Sequence, residues 1–102
     1  MQFMITAYDG TDADALTRRM NTRPRHLENM AKVKEIGRVV CAGGILNGEG
    51  KPAGSFLIMD FDSRETLDNY LANEPYVLEK VWVDIKVEPC NVVIMNDEKV
   101  GK

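Results

Sequence analysis

The chemistry that this sequence could perform centres on its single histidine, His26. Imidazole is the one side chain whose ordinary pKa lies near neutrality, so a histidine can both accept and donate a proton at cellular pH. Met30 and Val33 follow at i+4 and i+7, which places all three residues on one helical stripe and turns the ring at least partly toward the interior. A structural histidine with one buried hydrogen-bond partner is therefore an alternative to a proton-transfer residue.

Two arginines precede the histidine, Arg19 by seven residues and Arg23 by three. On one continuous helix the three side chains would share a face, and the arginines could bind an anionic ligand. Pro24 stands between them, and a proline inside a helix removes a hydrogen bond and clashes with the preceding turn. We therefore predict one helix at 13–20 and a second that begins near 22–24. After such a break the two arginines could point in any direction, and a solvated basic end of a helix is the alternative to a ligand-binding pair.

The hydrophobic pattern predicts four strands and two helical regions in the order β-α-β-β-α-β. The helical region between the first two strands ends at Gly37, and a later helix is capped by Asp62 or Ser63, with Asp62 and Glu65 spaced as a capping box. Its buried stripe would be Leu67, Tyr70 and Leu71. Turn-forming residues at 47–52 predict a hairpin. The strand-like segments are residues 2–8, 38–42, 55–61 and 82–88, with a further apolar stretch at 92–94.

This order is that of an α+β, ferredoxin-like fold, in which helices cover one face of a four-stranded antiparallel sheet. The other face would carry Met4, Tyr8 and members of the 56–61 run, which is more apolar surface than a solvated sheet normally exposes. We therefore predict a homodimer whose sheets pack face to face as a dimeric α/β barrel. Pockets would lie between sheet and helices.

The bulk composition is that of one folded domain. The chain has 102 residues, is 44% hydrophobic and carries a net charge of -3. We assign 1–95 to the domain and 96–102 to a flexible polar tail. The start of the chain has no basic region typical of a signal peptide, and no run approaches the roughly 20 apolar residues of a membrane span, which predicts a cytoplasmic protein without a membrane partner. Cys41 and Cys90 form no metal-binding or redox motif, so no metal or cofactor is expected.

An RNA-recognition module is an alternative because it shares the βαββαβ order. Such modules need paired stacking aromatics on the exposed sheet face and a positive surface. Here Phe56 and Phe61 lie on opposite sides of the strand, and the chain is acidic. The sequence therefore predicts no nucleic-acid partner.

Several short motifs, in matching order and spacing over about residues 2–94, resemble the YciI-like (YCII) family. The resemblance implies the same dimeric ferredoxin-like α/β-barrel fold. The motifs are Arg19-Met20-Asn21-Thr22-Arg23-Pro24-Arg25-His26-Leu27, Glu35-Ile36-Gly37-Arg38 before Ala42-Gly43, Gly54-Ser55, Glu74-Pro75-Tyr76-Val77 and Val87-Glu88-Pro89.

The resemblance also implies an active site. The family is associated with a proposed His-Asp pair, in which the histidine comes from an R-P-x-H motif and the aspartate from a D-P-Y corner. The histidine corresponds to His26, and the acid corresponds to Glu74, where a glutamate replaces the aspartate of the pattern. The longer side chain would shift the geometry by about an ångström, which is enough to affect catalysis.

A cofactor-free enzyme acting on a small metabolite is the first function that this resemblance implies. A dehydrochlorinase of chlorinated hydroxyhydroquinone resembles the same family, which favours proton transfer or elimination on small hydroxylated rings. Gly43, Ser55 and Tyr76 could supply ligand contacts beside the arginines, although turn and corner residues commonly serve the backbone alone. A non-catalytic small-molecule binding or accessory module is the competing hypothesis.

Overall fold

The computed structural model describes residues 1–96 and contains one antiparallel sheet with the strand order β2-β3-β1-β4. The predicted ferredoxin-like order is confirmed, with one short additional helix, α3, before the last strand. Residues 91–96 form no strand, so the apolar stretch at 92–94 does not extend the sheet, and most of the predicted tail lies outside the described residues. The elements are β1 (Gln2–Asp9), α1 (Ala15–Glu35), β2 (Val39–Leu46), β3 (Pro52–Asp60), α2 (Arg64–Ala72), α3 (Pro75–Leu78) and β4 (Trp82–Cys90).

The core lies between the helices and one face of the sheet. Side chains alternate across a strand, and in β1 the residues Phe3, Ile5 and Ala7 are buried while Met4 and Tyr8 on the other face are exposed. Burial of this inner face provides the main apolar stabilisation of the domain. The remaining buried members of the core are Leu57, Met59, Phe61, Leu67, Tyr70, Tyr76, Val81 and Trp82.

Helix α1 runs without a break through Pro24, so the predicted division into two helices is wrong. An internal proline costs about 3 kcal/mol in an isolated helix because one hydrogen bond is lost and the ring clashes with the preceding turn. Here tertiary packing offsets that cost. Thr22 is buried on the inward side of α1, and Met30 and Val33 pack against the core. The helix ends as predicted, since Gly37 follows it with a φ of 80°.

Ser63, one of the two predicted N-cap residues, caps α2, but its capping-box partner differs from the predicted one. The Ser63 hydroxyl accepts the backbone N–H of Thr66, and the Thr66 hydroxyl accepts the backbone N–H of Ser63. Threonine therefore takes the place that a glutamate usually holds in a capping box, and the Asp62–Glu65 box is not formed. The buried stripe agrees with the prediction at Leu67 and Tyr70.

Among residues 1–96, no helix has the length and apolarity that crossing a membrane would require. Cys41 and Cys90 are both free thiols.

Gly54, near the start of β3, offers a direct test of this packing. A Cβ atom there would lie 2.6 Å from the backbone carbonyl oxygen of Ala7 on the neighbouring strand. We expect Gly54→Ala to lower the free energy of unfolding by about 1–3 kcal/mol, because the backbone must move to accept the methyl group. Urea unfolding measures the change. Gly48→Ala is the matched control, since nothing lies within 4 Å of a Cβ at Gly48, and equal effects of the two substitutions would contradict the described register.

Candidate functional site

His26 and Glu74 are brought into contact by two separate parts of the fold. His26 lies on the inward side of α1, and Glu74 is the residue at which the chain turns from α2 into α3. The Nδ1 atom of His26 and the Oε1 atom of Glu74 are 2.5 Å apart. The Glu74 side chain is fully buried, whereas the imidazole keeps 12% of its surface exposed. The longer side chain of glutamate therefore does not prevent the contact.

The Glu74 carboxylate is satisfied by three hydrogen bonds in addition to that from His26. The Tyr70 hydroxyl donates to Oε2 at 2.7 Å, the side-chain amide of Asn29 donates to Oε2 at 3.1 Å, and the backbone N–H of Tyr76 donates to Oε1 at 3.2 Å. A buried carboxylate without partners would cost several kcal/mol, so this set of donors is what allows Glu74 to be buried in its charged form.

The position of Glu74 follows from local sequence. Pro75 occupies the first position of α3, where a missing N–H costs nothing, and Glu74 precedes it as the N-cap residue. Its carboxylate accepts the Tyr76 N–H as an N-cap side chain normally does. The same carboxylate thus caps one helix and holds a histidine from another.

Two of these donors, Asn29 and Tyr70, were not among the site residues predicted from the sequence. Asn29 lies three residues after His26 on α1, and Tyr70 lies four residues before Glu74. Helical spacing could have placed each beside its neighbour. The spacing gives no reason to expect both of them on one carboxylate.

The ionisation of this cluster follows from its contacts. Burial alone would raise the pKa of the Glu74 carboxyl, but the hydrogen bond from His26, its charge when protonated, and the bonds from Tyr70 and Tyr76 outweigh burial. The pKa of Glu74 is consequently lowered from 4.5. Burial, followed by the charge of Glu74, raises the pKa of Tyr70, so this hydroxyl keeps its proton and remains a donor.

The imidazole ring is fixed in orientation by two aromatic side chains. It stacks on Tyr76 with the ring centroids 3.9 Å apart and the planes 9° from parallel, and it meets Trp82 edge-on at 5.7 Å. With Nδ1 bonded to Glu74, the other ring nitrogen, Nε2, forms no hydrogen bond to any residue within 1–96. This nitrogen is the one available to a ligand.

A cavity of about 460 Å³ lies beside the histidine, between α1 and the strands β2 and β3. Its volume falls in the range of small-molecule sites, and its walls are mainly apolar with a few polar groups, as such sites usually are. The lining residues are Arg19, Met20, Arg23, His26, Leu27, Met30, Ala42, Gly43, Gly44, Leu46, Pro52, Ser55, Phe56, Leu57 and Tyr76.

The unbroken helix α1 places Arg19, Arg23 and His26 together on the wall of the cavity, contrary to the expectation drawn from Pro24. The two arginines differ in their surroundings. Arg19 is buried and makes two hydrogen bonds from one nitrogen to Asp9, at 2.9 and 3.1 Å. Arg23 is exposed and forms no ion pair within the described part of the chain. The positive charge of Arg19 is thus balanced locally, whereas that of Arg23 is not.

Ser55 connects Arg19 to Trp82 through hydrogen bonds. Its hydroxyl oxygen accepts one hydrogen bond from Arg19 at 3.0 Å and one from the Trp82 ring N–H at 3.1 Å. The side chain is buried and lines the cavity. Ser55 therefore has a structural role at the wall of the cavity.

Gly43 and Tyr76, the two other residues predicted to contact a ligand, also line the cavity. A Cβ atom at Gly43 would lie 2.5 Å from the ring of Phe56, so the packing of that ring is one reason for glycine. Tyr76 is buried and supports the imidazole. Of the seven site residues predicted, six line the cavity, and Glu74 lies behind His26.

Metal ligands are not grouped in this region. Among residues 1–96, no three His, Cys, Asp or Glu side chains are placed so that they could hold a metal ion.

Comparison with known proteins gives matches along most of the chain. The family model of the YCII-related domain matches residues 1–91. Protein YciI of Escherichia coli O6:H1 is 32% identical over 95 residues, which is 87% of this chain and 95% of that protein.

Two solved structures share the fold. The 5-chloro-2-hydroxyhydroquinone dehydrochlorinase TftG of Burkholderia phenoliruptrix AC1100, in complex with 2,5-dihydroxybenzoquinone, has a TM-score of 0.79 at 23% identity and covers 89% of this chain and 94% of its own. A dimeric ferredoxin-like protein of unknown function from Jannaschia sp. CCS1 has a TM-score of 0.50 at 14% identity and covers 89% of this chain and 98% of its own. Both likenesses support the ferredoxin-like fold.

The lowered pKa of Glu74 predicts a specific dependence of stability on pH. Because the folded-state pKa lies below the unfolded value of 4.5, the carboxylate stabilises the fold fully above that pH and loses this effect as the pH falls through the folded-state pKa. We expect Glu74→Gln to lower the free energy of unfolding by about 1–3 kcal/mol at neutral pH, and by less in acid.

Urea unfolding at a series of pH values measures this difference. The wild type and Glu74→Gln should converge as the pH falls below 4.5. The control is Glu79→Gln, which removes a carboxylate that is 46% exposed. Parallel profiles for the wild type and Glu74→Gln would contradict the described role of the carboxylate.

Proposed function

Since the chain belongs to the YCII-related domain family, we propose that it is a cofactor-independent enzyme in which His26 and Glu74 transfer protons on a small hydroxylated ring compound. The observation that supports this most is the contact between the buried carboxylate of Glu74 and Nδ1 of His26. A carboxylate accepts hydrogen bonds and donates none, so this contact favours the tautomer that carries its proton on Nδ1. The lone pair of the neutral ring then lies on Nε2, beside the cavity.

His26 acts in this proposal as a general base and then as a general acid. Glu74 does not meet the substrate. It holds the ring in one tautomer and orientation and stabilises the imidazolium after proton transfer, as the carboxylate of a catalytic triad does. The stack on Tyr76 limits rotation of the ring.

The chemistry can be written with proton transfers alone. Nε2 of His26 takes a proton from a hydroxyl of the substrate, and the electron pair left on that oxygen forms a carbonyl. The imidazolium returns the proton to a carbon of the substrate ring that carries a leaving group. Loss of a second hydroxyl proton then expels that group with its bonding electron pair. The products are a quinone and the protonated leaving group, so no external oxidant or reductant is needed. If no leaving group is present, the same first step is an isomerisation.

The proposed substrate class is supported by the cavity and by one relative. A volume of about 460 Å³ with mainly apolar walls suits a single substituted ring. TftG, which shares the fold, is a dehydrochlorinase of a chlorinated hydroxyhydroquinone.

Proton exchange tests the proposal even while the natural substrate is unidentified. The protein is incubated in D2O, without oxygen, with a panel of hydroxylated and halogenated hydroquinones. Ring deuteration is followed by NMR, and halide release is measured by ion chromatography. We expect His26→Ala to slow either process by about 10²–10⁴-fold, the usual contribution of a general base. The control is Glu28→Gln, an exposed residue of the same helix that does not line the cavity.

The competing hypothesis is that this cavity binds a small molecule without turnover. Compounds that stabilise the wild type in a thermal shift assay, equally stabilise His26→Ala and are neither deuterated nor consumed would contradict the enzymatic proposal and favour a binding module.

We further propose that the protein is a homodimer in which the outer faces of two sheets pack together. The outer face exposes Met4, Tyr8 and Phe56, each between 38% and 47%. On β4 the same face carries charged residues. Asp84 lies opposite Tyr8, Lys86 opposite Thr6 and Glu88 opposite Met4, so the apolar part of the face lies on β1 and β3. A two-fold axis can bring such a patch onto its own copy. The Jannaschia protein of the same fold is described as dimeric.

Met4→Lys tests the dimer without opposing the fold, because the new cation would face Glu88 across the strand pair. We expect the wild type to elute as a dimer and Met4→Lys as a folded monomer in size-exclusion chromatography with light scattering. Leu78→Glu alters an equally apolar residue on α3 that is 60% exposed, and it should remain dimeric. A monomeric wild type would refute the proposal.

A further inference from the structure

We propose that Ser55 and Arg23 bind an anionic oxygen of the ligand, and that the substrate class is therefore a small ring carrying a carboxylate or an enolate-type oxygen. The inference rests on the proposal that this cavity is the substrate site, and it adds the charge that the substrate must carry.

The hydrogen bonds of Ser55 favour a ligand atom that accepts. A hydroxyl has one hydrogen to donate and two lone pairs that accept. Both lone pairs are occupied, one by a guanidinium N–H of Arg19 and the other by the ring N–H of Trp82. The hydrogen of Ser55 is donated to no residue within 1–96. The group is buried and lines the cavity, so a ligand there meets a hydroxyl that can only donate.

The charged side chains that line the cavity favour a ligand with negative charge. Two arginines line the cavity, and none of the residues that line it is an aspartate or a glutamate. The charge of Arg19 is balanced by Asp9, in an ion pair whose two side chains are at most 8% exposed. Arg23 has no such partner in the described chain, so its charge is available to a ligand in the cavity. A donor-only hydroxyl together with an unpaired guanidinium is suited to an oxygen with negative charge.

The position of these groups agrees with the proposed proton transfer. His26 and Ser55 line the same cavity, so one ring can present a hydroxyl to the base and an oxygen to the donor. When Nε2 removes a proton, negative charge spreads over the ring oxygens. Preorganised donors placed where charge develops stabilise a transition state more than a ground state. An oxygen already anionic, such as a carboxylate, would be held by the same groups.

Asp9, Arg19 and Trp82 are positioning residues in this account. Arg19 and Trp82 donate to the two lone pairs of Ser55 and so fix the direction of its hydroxyl, and Asp9 holds Arg19 in place. None of the three acts on the ligand oxygen itself. Trp82→Phe removes the N–H that bonds to Ser55 and frees a lone pair of that hydroxyl. The hydroxyl would lose its fixed direction, while an aromatic ring is kept at this position.

Binding of three probes to the full chain tests the inference. Gentisate carries a carboxylate, its methyl ester is neutral, and 2,5-dihydroxybenzoquinone carries ionised ring oxygens without a carboxylate. Calorimetry at low and high salt gives each Kd. We expect at least one of the two anions to bind more tightly than the ester, and its binding to weaken with salt. Preference for gentisate identifies a carboxylate, whereas preference for the quinone identifies a ring oxygen.

Single substitutions identify the residues that bind the anion. Ser55→Ala should raise the Kd of the preferred anion by about 10- to 100-fold, as expected for the loss of a hydrogen bond to a charged group. Arg23→Gln should remove most of the salt dependence and leave the Kd of the ester unchanged. Arg25→Gln is the matched control, because Arg25 lies on the same helix, pairs with Glu79 at the surface and does not line the cavity. Trp82→Phe should reduce the preference for the anion over the ester.

Three results would overturn the inference. These are equal affinity for the ester and both anions, no binding of either anion at millimolar concentration, and equal behaviour of Arg23→Gln and Arg25→Gln. If Ser55→Ala does not fold, the Arg23 variant and the salt dependence still decide the question. The outcome is separate from that of the proton-exchange assay, since anion binding without exchange would refute catalysis and leave this inference in place.

Discussion

The fully buried carboxylate of Glu74 is the constraint on which the site depends. A charged group can be buried only if its oxygens are satisfied, and here the donors come from α1, from α2 and from the first turn of α3. Because three helices must meet for the carboxylate to be stable in the interior, Glu74 links the packing of the fold to the orientation of His26. The imidazole is held by the same interaction that closes the corner between α2 and α3.

A second constraint is the continuity of α1. The helix keeps its course through Pro24 because its inward side is buried, and this continuity places Arg19, Arg23 and His26 on one wall of the cavity. The residues on that wall then take different roles according to their partners. Arg19 is neutralised by Asp9 and orients Ser55, whereas Arg23 keeps its charge and His26 is fixed by Glu74.

Much of the fold could be predicted from local pattern. The alternation of Phe3, Ile5 and Ala7 identifies the inner face of β1, and Gly37 marks the end of α1, because both depend on neighbouring residues alone. The break at Pro24 was predicted wrongly for the same reason, since propensity omits the tertiary packing that outweighs it. The capping box at Ser63 and Thr66 was missed because threonine is less usual than glutamate at that position.

The site was less accessible to sequence reasoning than the fold. His26 and Glu74 are 48 residues apart, and the family resemblance alone suggested that they meet. The convergence of Asn29 and Tyr70 on the carboxylate, and of Arg19 and Trp82 on Ser55, depends on how helices pack on the sheet. No periodicity contains that information. Periodicity also suggested an inward-facing histidine, and the ring is indeed mostly buried, but one edge remains open to the cavity.

The most direct test of the central claim is the tautomer of His26, measured by 15N NMR of the protein labelled at its imidazole nitrogens. The chain contains one histidine, so the signals need no assignment by mutation. We expect the neutral ring to carry its proton on Nδ1, with Nε2 unprotonated, and Glu74→Gln to abolish this preference. A neutral ring protonated on Nε2 in the wild type would contradict the account, because the nitrogen beside the cavity could not then act as a base.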